Sequence, residues 1–245
     1  LAFWLLTAFF ALFVLFLYGP MIAVFILSFQ GPGGGMTFPM RGVSLHWFAD
    51  LFSSTRYGDL GDAFWRSIAL SLLVMLITVV VSFFAGLGFR RRFWGSGALF
   101  YLAIVSLVMP GILTGLGIGT IFQSLGLRTS WLVSGLGAHL SWTLPFGLLI
   151  MFAVLNRFNG SWEEAARDAG ARPGQVLWMV TLPIVFPGLI AVALFGLTLS
   201  YDEYPRSLLT AGTRNTLPIH IANLTANVTT PALYAIGTLT TLLSL

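Results

Sequence analysis

The 245-residue sequence contains no cysteine and no lysine, and only 8% of its residues are charged. Without cysteine, the chain can form neither a disulfide nor a thiolate metal site. Without lysine, it lacks the residue that a P-loop, G-x-x-x-x-G-K-[ST], places on nucleotide phosphates. The three histidines are too far apart in sequence to suggest a metal-ligand set, and the twelve scattered arginines give no indication of nucleic-acid binding.

The scarcity of charge is matched by an excess of apolar side chains, which make up 57% of the chain. Soluble domains carry roughly 25% charged residues. A water-soluble fold of this length could not hide so much apolar surface, because about half or more of any accessible surface stays exposed. The composition therefore predicts an integral membrane protein that is all-α and polytopic.

Six apolar segments meet or approach the length of a transmembrane helix, which needs about 20 residues to cross roughly 30 Å of hydrocarbon. We predict six spans in a single domain that covers residues 1–245. The predicted spans are 2–29, 63–88, 98–122, 132–155, 184–200 and 229–245. The first is longer than the apolar core of a signal peptide, so we expect a retained helix.

Arginines concentrate in two of the connecting loops, 89–97 and 156–183, and Arg90, Arg91 and Arg92 form a cluster. Positively charged residues near helix ends favour the cytoplasmic side of a membrane. We therefore expect both loops, and both chain termini, to be cytoplasmic.

The loop 156–183 is unusually polar and reads SWEEAARDAGARPGQVLWMVTLP from residue 161 onward. Ser161 and Glu164 have the spacing of a helix capping box. Gly170 suits a left-handed C-terminal cap, and Pro173 can open a following helix. Pro183 predicts a boundary before the fifth span.

These signals predict a helix–turn–helix at the surface. We expect its outward residues to be Glu163, Glu164, Arg167 and Asp168, with Ala165, Ala166 and Ala169 allowing another surface to approach closely. From spacing alone, a solvated helical loop without a partner is an equal alternative.

The same stretch resembles the EAA loop of ABC importer permeases, in which Glu-Ala-Ala is followed by a glycine, an aliphatic residue and Leu-Pro. The matching positions are Glu164, Ala165, Ala166, Gly170, Val180, Leu182 and Pro183. The resemblance implies the type I ABC importer permease fold and a coupling helix that docks in a groove on a cytoplasmic ATPase. The residues it assigns to coupling are Glu163, Glu164, Ala165, Ala166, Arg167, Asp168 and Gly170.

Other stretches resemble the second permease subunit of spermidine/putrescine-type importers. They are FWRSIALSLL, SLVMPGILTGLGIG, HLSWTLPF and LTLSYDEYPRSLLTAGTRNTLPIHI. The resemblance implies a subunit that forms half of a translocation pathway for a polyamine or a similar small organic cation. One departure, Pro205-Arg206, stands where aliphatic residues are usual. Because this adds a cation, another small solute stays open as the substrate, such as an amino-acid derivative, an opine or an anion.

Adjacent carboxylates, Asp202 and Glu203, follow the predicted fifth span between Tyr201 and Tyr204. Carboxylates pair with ammonium groups, and aromatic faces attract cations by roughly 0.5–2 kcal/mol. We expect these four residues to line the substrate pathway, together with Pro110, Thr114 and Trp142. The alternative is a polar helix end with interfacial tyrosines, in which Arg206 neutralises the acidic pair.

We expect Pro110 to break the helix of the third predicted span, just before a run of glycines. The glycines at 111, 115, 117 and 119 have overlapping small-xxx-small spacings, which predict close helix packing. The alternative is a flexible pathway wall that is kinked at Pro110.

The resemblance also implies the assembly. The partners are a second homologous permease in a heterodimer or homodimer, two cytoplasmic ATPases and an extracytoplasmic substrate-binding protein. The setting is the lipid of the bacterial inner membrane. The chain is then a transport subunit rather than an enzyme and binds no cofactor, since ATP and Mg²⁺ belong to the ATPase.

A secondary transporter is the main competing class. Such carriers place ionisable residues in mid-membrane, and the predicted spans are almost free of them. The enzyme motifs H-E-x-x-H and G-x-S-x-G do not occur in the sequence.

Overall fold

The computed structural model describes residues 2–53, 57–91, 93–227 and 229–244, and these residues form helices and no strand. The helices in chain order are α1 (Ala2–Leu27), α2 (His46–Ser53), α3 (Leu60–Phe89), α4 (Ser96–Val108), α5 (Gly111–Ser124), α6 (Trp131–Asn156), α7 (Ser161–Asp168), α8 (Pro173–Tyr201), α9 (Pro205–Thr210), α10 (Leu217–Asn227) and α11 (Ala232–Ser244). Arg92 of the predicted arginine cluster and Leu245 of the predicted last span lie outside the described residues.

Four helices, α1, α3, α6 and α8, are long and apolar enough to cross a membrane. The pair α4–α5 passes the same test only when the two helices are taken together. Helix α11 starts three residues later than the predicted last span, and its 13 residues cover about 20 Å at 1.5 Å per residue. The described part of the chain thus shows four or five spans, and the count of six stays a prediction.

The predicted span 98–122 corresponds to two helices, because the chain bends by 107° between α4 and α5. Met109 ends α4 with a ψ of 127°, the extended conformation that a residue before proline prefers. Pro110 then caps α5. The helix break that the sequence predicts at Pro110 is confirmed, and it divides the predicted span into two helices.

At the boundary predicted from Pro183, regular α-helix begins at Leu182 after a π-helical turn, although α8 as a whole runs from Pro173 to Tyr201. A π-helical turn, Leu177–Thr181, comes just before this proline, and the Leu182 N–H bonds to the Leu177 oxygen. A π-turn rearranges the helix hydrogen bonds at the place where Pro183 has no N–H to donate. The helix therefore accommodates the proline without ending.

The chain divides into two compact units, residues 1–63 with 219–245, and residues 64–218. In the first unit α11 packs against α1 and α2. A buried Gln30 organises the loop between α1 and α2, since its amide donates to the Gly35 oxygen at 3.0 Å and accepts from the Arg41 N–H at 2.7 Å. The assignment of residues 1–245 to one domain stays a prediction.

The second unit has its core where α3, α6 and α8 meet. The buried residues of this core are Phe83, Met151, Leu155, Val185, Leu189 and Val192. A buried hydrogen bond of 3.0 Å joins the hydroxyls of Thr78 and Thr143, and Gly147 lies directly against Thr78 and Ser82. Because Gly147 has no side chain, α3 and α6 approach each other closely at this point.

Candidate coupling helix and transport-path residues

Helix α7 begins differently from the sequence prediction. Gly160 is its N-cap, and the Asn159 side chain accepts from the Ser161 N–H at 3.0 Å. The predicted capping box of Ser161 and Glu164 is therefore wrong, since Ser161 is already a helical residue. Asparagine is among the best acceptors at helix starts, and here it takes the role that the spacing assigned to serine.

The end of α7 agrees with the prediction. Gly170 has a φ of +89°, its N–H bonds to the Arg167 oxygen at 2.8 Å, and the Ala171 N–H bonds to the Ala166 oxygen at 3.0 Å. This pair of bonds is the Schellman motif, which requires a left-handed residue that glycine adopts without strain. Helix α8 follows at Pro173, so the helix–turn–helix is confirmed.

Glu163 lies inward rather than outward, which corrects the prediction. Its side chain is 13% exposed. Arg90 donates from Nη1 to Oε1 at 2.8 Å and from Nη2 to Oε2 at 3.3 Å, and the Thr181 hydroxyl donates to Oε1 at 2.7 Å. One carboxylate thus fastens α7 to the end of α3 and to the π-turn of α8.

The surroundings of Glu163 favour its charged form. Partial burial raises the pKa of Glu163, but the hydrogen bonds from Arg90 and Thr181 and the charges of Arg90 and Arg167 outweigh it, so the pKa lies below its ordinary value of 4.5. The Arg90 guanidinium also lies 4.8 Å above the Phe158 ring. At neutral pH the link between α7 and the spans is therefore fully ionised.

The rest of α7 forms an exposed surface. Glu164, Ala165, Arg167, Asp168 and Gly170 are exposed, and Ala166 is half-buried. Trp162 is 48% exposed and meets the Phe158 ring edge-on at 5.6 Å. The face that remains open to a second protein combines small residues with both signs of charge.

At the other end of α8, Glu203 and Arg206 form a buried ion pair. Their side chains are 4% and 6% exposed, and Nη1 lies 3.3 Å from Oε2. Glu203 also accepts from the Arg206 N–H at 2.9 Å, and the guanidinium lies 4.6 Å above the Trp142 ring. Arg206 therefore neutralises Glu203, while Asp202 is exposed.

The remaining predicted path residues are dispersed. Tyr201 is buried, and Tyr204 is 37% exposed. Pro110 is exposed at the bend, and the Thr114 hydroxyl donates to the Pro110 oxygen at 3.4 Å within α5. Of the residues predicted for the path, the structure brings Trp142 to the Glu203–Arg206 pair.

Glycines on one face of α5 pack against α9, which confirms the packing interpretation. A Cβ on Gly111 would lie 2.9 Å from Arg206 Nη1, one on Gly115 2.9 Å from the Arg206 oxygen, and one on Gly119 3.0 Å from the Leu209 oxygen. Gly117 lies on another face and has open space around it. The small residues at every fourth position thus let α9 approach the α5 backbone.

His139 joins three helices, a role that sequence reasoning missed. Its Nε2 lies 2.8 Å from the Ser207 hydroxyl and its Nδ1 lies 2.7 Å from the Ser200 hydroxyl. The Ser207 hydroxyl donates its proton to the backbone carbonyl oxygen of Glu203 at 2.7 Å, so it accepts a hydrogen bond from Nε2–H of His139. Nδ1 of His139 is then unprotonated and accepts from the Ser200 hydroxyl. The sequence feature that could have indicated this role is a single histidine within an otherwise apolar span.

The family follows from a match over most of the chain. Residues 78–245 match the protein-family model described as "binding-protein-dependent transport system inner membrane component". The chain belongs to this family. It is a permease subunit of an ABC importer in the inner membrane, a transport subunit rather than an enzyme.

Relatives of this permease include two polyamine permeases. The putrescine transport system permease protein PotI of Escherichia coli (strain K12) is 28% identical over 241 residues, which cover 91% of this chain and 81% of that protein. The spermidine/putrescine transport system permease protein PotC of Haemophilus influenzae is 27% identical over 245 residues, covering 99% and 93%. The predicted resemblance to spermidine/putrescine-type permeases is confirmed.

Solved structures support the fold of this permease. A bacterial ABC transporter that imports the acidic polysaccharide alginate superposes with a TM-score of 0.65 at 18% identity, covering 99% of this chain and 91% of that chain. The inward-facing MetNI methionine ABC transporter gives a TM-score of 0.57 at 18% identity, covering 74% and 87%. The predicted all-α ABC importer permease fold is confirmed.

Proposed function

We propose that this permease forms half of the translocation path of an ATP-driven importer and that α7 is its coupling helix. The observation that carries the proposal is the division of roles between two neighbouring glutamates. Glu163 fastens α7 to α3 and α8, and Glu164 stays exposed beside Ala165. A protein that binds the exposed face of α7 and moves this helix would therefore also move α3 and α8.

In this proposal the protein that binds α7 is a cytoplasmic ATPase, which carries the ATP and Mg²⁺. The permease chain has no lysine for a P-loop, so nucleotide hydrolysis belongs to a separate subunit. The loops 89–97 and 156–183 and both chain termini then face the cytoplasm, in keeping with their arginines. Glu163, Glu164, Ala165, Ala166, Arg167, Asp168 and Gly170 keep their assignment to coupling, with Glu163 on the inner face.

Two further partners complete the proposed importer. A second homologous permease, identical or different, supplies the other half of the path. An extracytoplasmic protein delivers substrate, as the alginate ABC transporter solved in complex with a pentasaccharide-bound periplasmic protein suggests by analogy.

The proposed substrate is a polyamine or a similar small organic cation. The relatives named for putrescine and spermidine support this class. Exposed Asp202 and the partly exposed ring of Tyr204 offer an anion and an aromatic face for an ammonium group. The Glu203 side chain is only 4% exposed, whereas Asp202 is exposed and a cation can reach it, so we assign cation recognition to Asp202 rather than to the pair.

The coupling assignment is tested with Glu164→Lys in the importer reconstituted in vesicles. Reversing a charge at an interface costs about 2 kcal/mol or more, so we expect the affinity for the ATPase to fall about 30-fold and ATP-driven uptake to fall with it. Asp59→Lys, an equal charge change at an exposed residue of the first unit, is the control. Unchanged ATPase binding and uptake in Glu164→Lys would reject the assignment.

A further inference from the structure

A polar cleft of about 530 Å³ opens beside α7, between the end of α3 and the start of α8. Three arginines line it, Arg90, Arg91 and Arg167, together with Glu163. Apolar residues, among them Leu87 and Val176, form another part of its wall. We call this feature the arginine cleft.

The arginine cleft carries two positive charges that its own carboxylate does not balance. Arg90 donates to both oxygens of Glu163, and Arg167 forms only a longer ion pair of 3.7 Å with the same carboxylate and is 53% exposed, so one negative charge faces three guanidinium groups. Arg91 is exposed, and no ion pair or hydrogen bond between described residues uses its side chain. Because each guanidinium offers five N–H donors, the cleft has donors to spare for an anion.

The cleft lies where two apolar helices reach their polar ends. Two tryptophans that are adjacent in sequence to lining residues are exposed, Trp162 beside Glu163 at 48% and Trp178 beside Leu177 at 59%. Tryptophan is enriched at membrane–water interfaces, so this position corresponds to the level of lipid head groups. Helix α8 also starts at the cleft, and the positive end of its dipole favours an anion there.

We propose that the arginine cleft binds the phosphate group of an anionic phospholipid. Guanidinium groups bind phosphate through paired hydrogen bonds, and basic pockets between transmembrane helices on the cytoplasmic side bind anionic head groups. The apolar wall and the exposed tryptophans suit the start of the acyl chains, which a free phosphate ion lacks. A bound head group would lie next to the Arg90–Glu163 link, so lipid charge would act on the attachment of α7.

The test counts retained lipid on the purified importer complex by native mass spectrometry, after reconstitution in mixed phosphatidylglycerol and phosphatidylcholine. The variant is Arg91→Gln with Arg167→Gln, which leaves the Arg90–Glu163 link in place. The control is Arg128→Gln with Arg214→Gln, which removes the same charge from exposed residues of the second unit that do not line the cleft. Assembly with the ATPase is checked for all three proteins.

We expect the complex to retain phosphatidylglycerol in preference to phosphatidylcholine, and the cleft variant to bind it about tenfold or more weakly while the control does not change. Equal retention by the variant and the unaltered complex would overturn the proposal. The complex is also purified with inorganic phosphate in the buffer, and a bound phosphate ion in place of phosphatidylglycerol in the absence of excess competitor would show that a free phosphate is the ligand and would overturn the assignment to lipid.

Discussion

Two glutamate–arginine pairs lie at opposite ends of α8, and their geometry differs in an instructive way. Glu163 and Arg90 are 73 positions apart and connect separate helices, with side chains 13% and 28% exposed. Glu203 and Arg206 are three positions apart and almost fully buried. The first pair can transmit movement between elements, whereas the second neutralises a buried charge within one turn.

Breaking the buried pair should have the largest effect. Arg206→Ala leaves Glu203 buried without its partner, and losing one member of such a pair costs about 3–5 kcal/mol. We therefore expect a marked drop in the thermal unfolding midpoint of the purified permease. The double variant Arg206→Met with Glu203→Gln removes both charges and should be less harmful. If Arg206→Ala were no more damaging than the double variant, the pair would not act as described.

The glycine face that receives Arg206 gives a matched comparison. A Cβ on Gly115 would lie 2.9 Å from the Arg206 oxygen, so Gly115→Ala should cost about 1–3 kcal/mol by forcing α5 and α9 apart. Gly117→Ala meets open space and should be neutral or stabilise α5 by up to about 1 kcal/mol. Thermal unfolding of the two variants side by side checks this, and equal destabilisation would refute the packing account.

The attachment of α7 should depend on pH only weakly, and this dependence should come from Glu163. The pKa of Glu163 lies below the ordinary value of 4.5, so its contribution to stability is present above that value and is lost as pH falls through the lowered pKa. Ala165→Cys introduces the single cysteine of this chain, to which a spin label is attached. The mobility of the label should stay constant from neutral pH down to the ordinary glutamate pKa of 4.5 and increase at lower pH.

In the control for this experiment, Glu163→Gln carries the same label. Its α7 should be more mobile at every pH and show no step. A step of equal size in the Gln variant would show that a group other than Glu163 causes the change in mobility.

Local patterns predicted much of the fold and of α7. The left-handed Gly170, the start of α8 at Pro173 and the helix break at Pro110 follow from backbone rules that act within a few residues. The glycine spacing likewise predicted close packing of α5, though not that Gly117 lies on another face or that α9 covers the packed one.

The remaining features depend on distant residues or on competing local ones. Glu163 turns inward because Arg90 and Thr181 meet it there, and nothing in the spacing of α7 distinguishes it from Glu164. The helix passes Pro183 because a π-turn precedes it, and Asn159 displaces Ser161 as the capping acceptor. Arg206, which departs from the aliphatic residue usual in the resembling permeases, forms the buried ion pair with Glu203 and so makes the surroundings of Glu203 differ from those of exposed Asp202.

The central claim, that the Arg90–Glu163 link carries ATPase movement into the spans, is most directly tested by a double-mutant cycle. Solute uptake per ATP hydrolysed is measured in vesicles for Arg90→Gln, Glu163→Gln and the double variant. If the link transmits movement, each single change should lower this ratio and the double variant should lose little more, giving a coupling energy of about 0.5–3 kcal/mol. Losses that simply add, or a ratio that neither single change alters, would contradict the account.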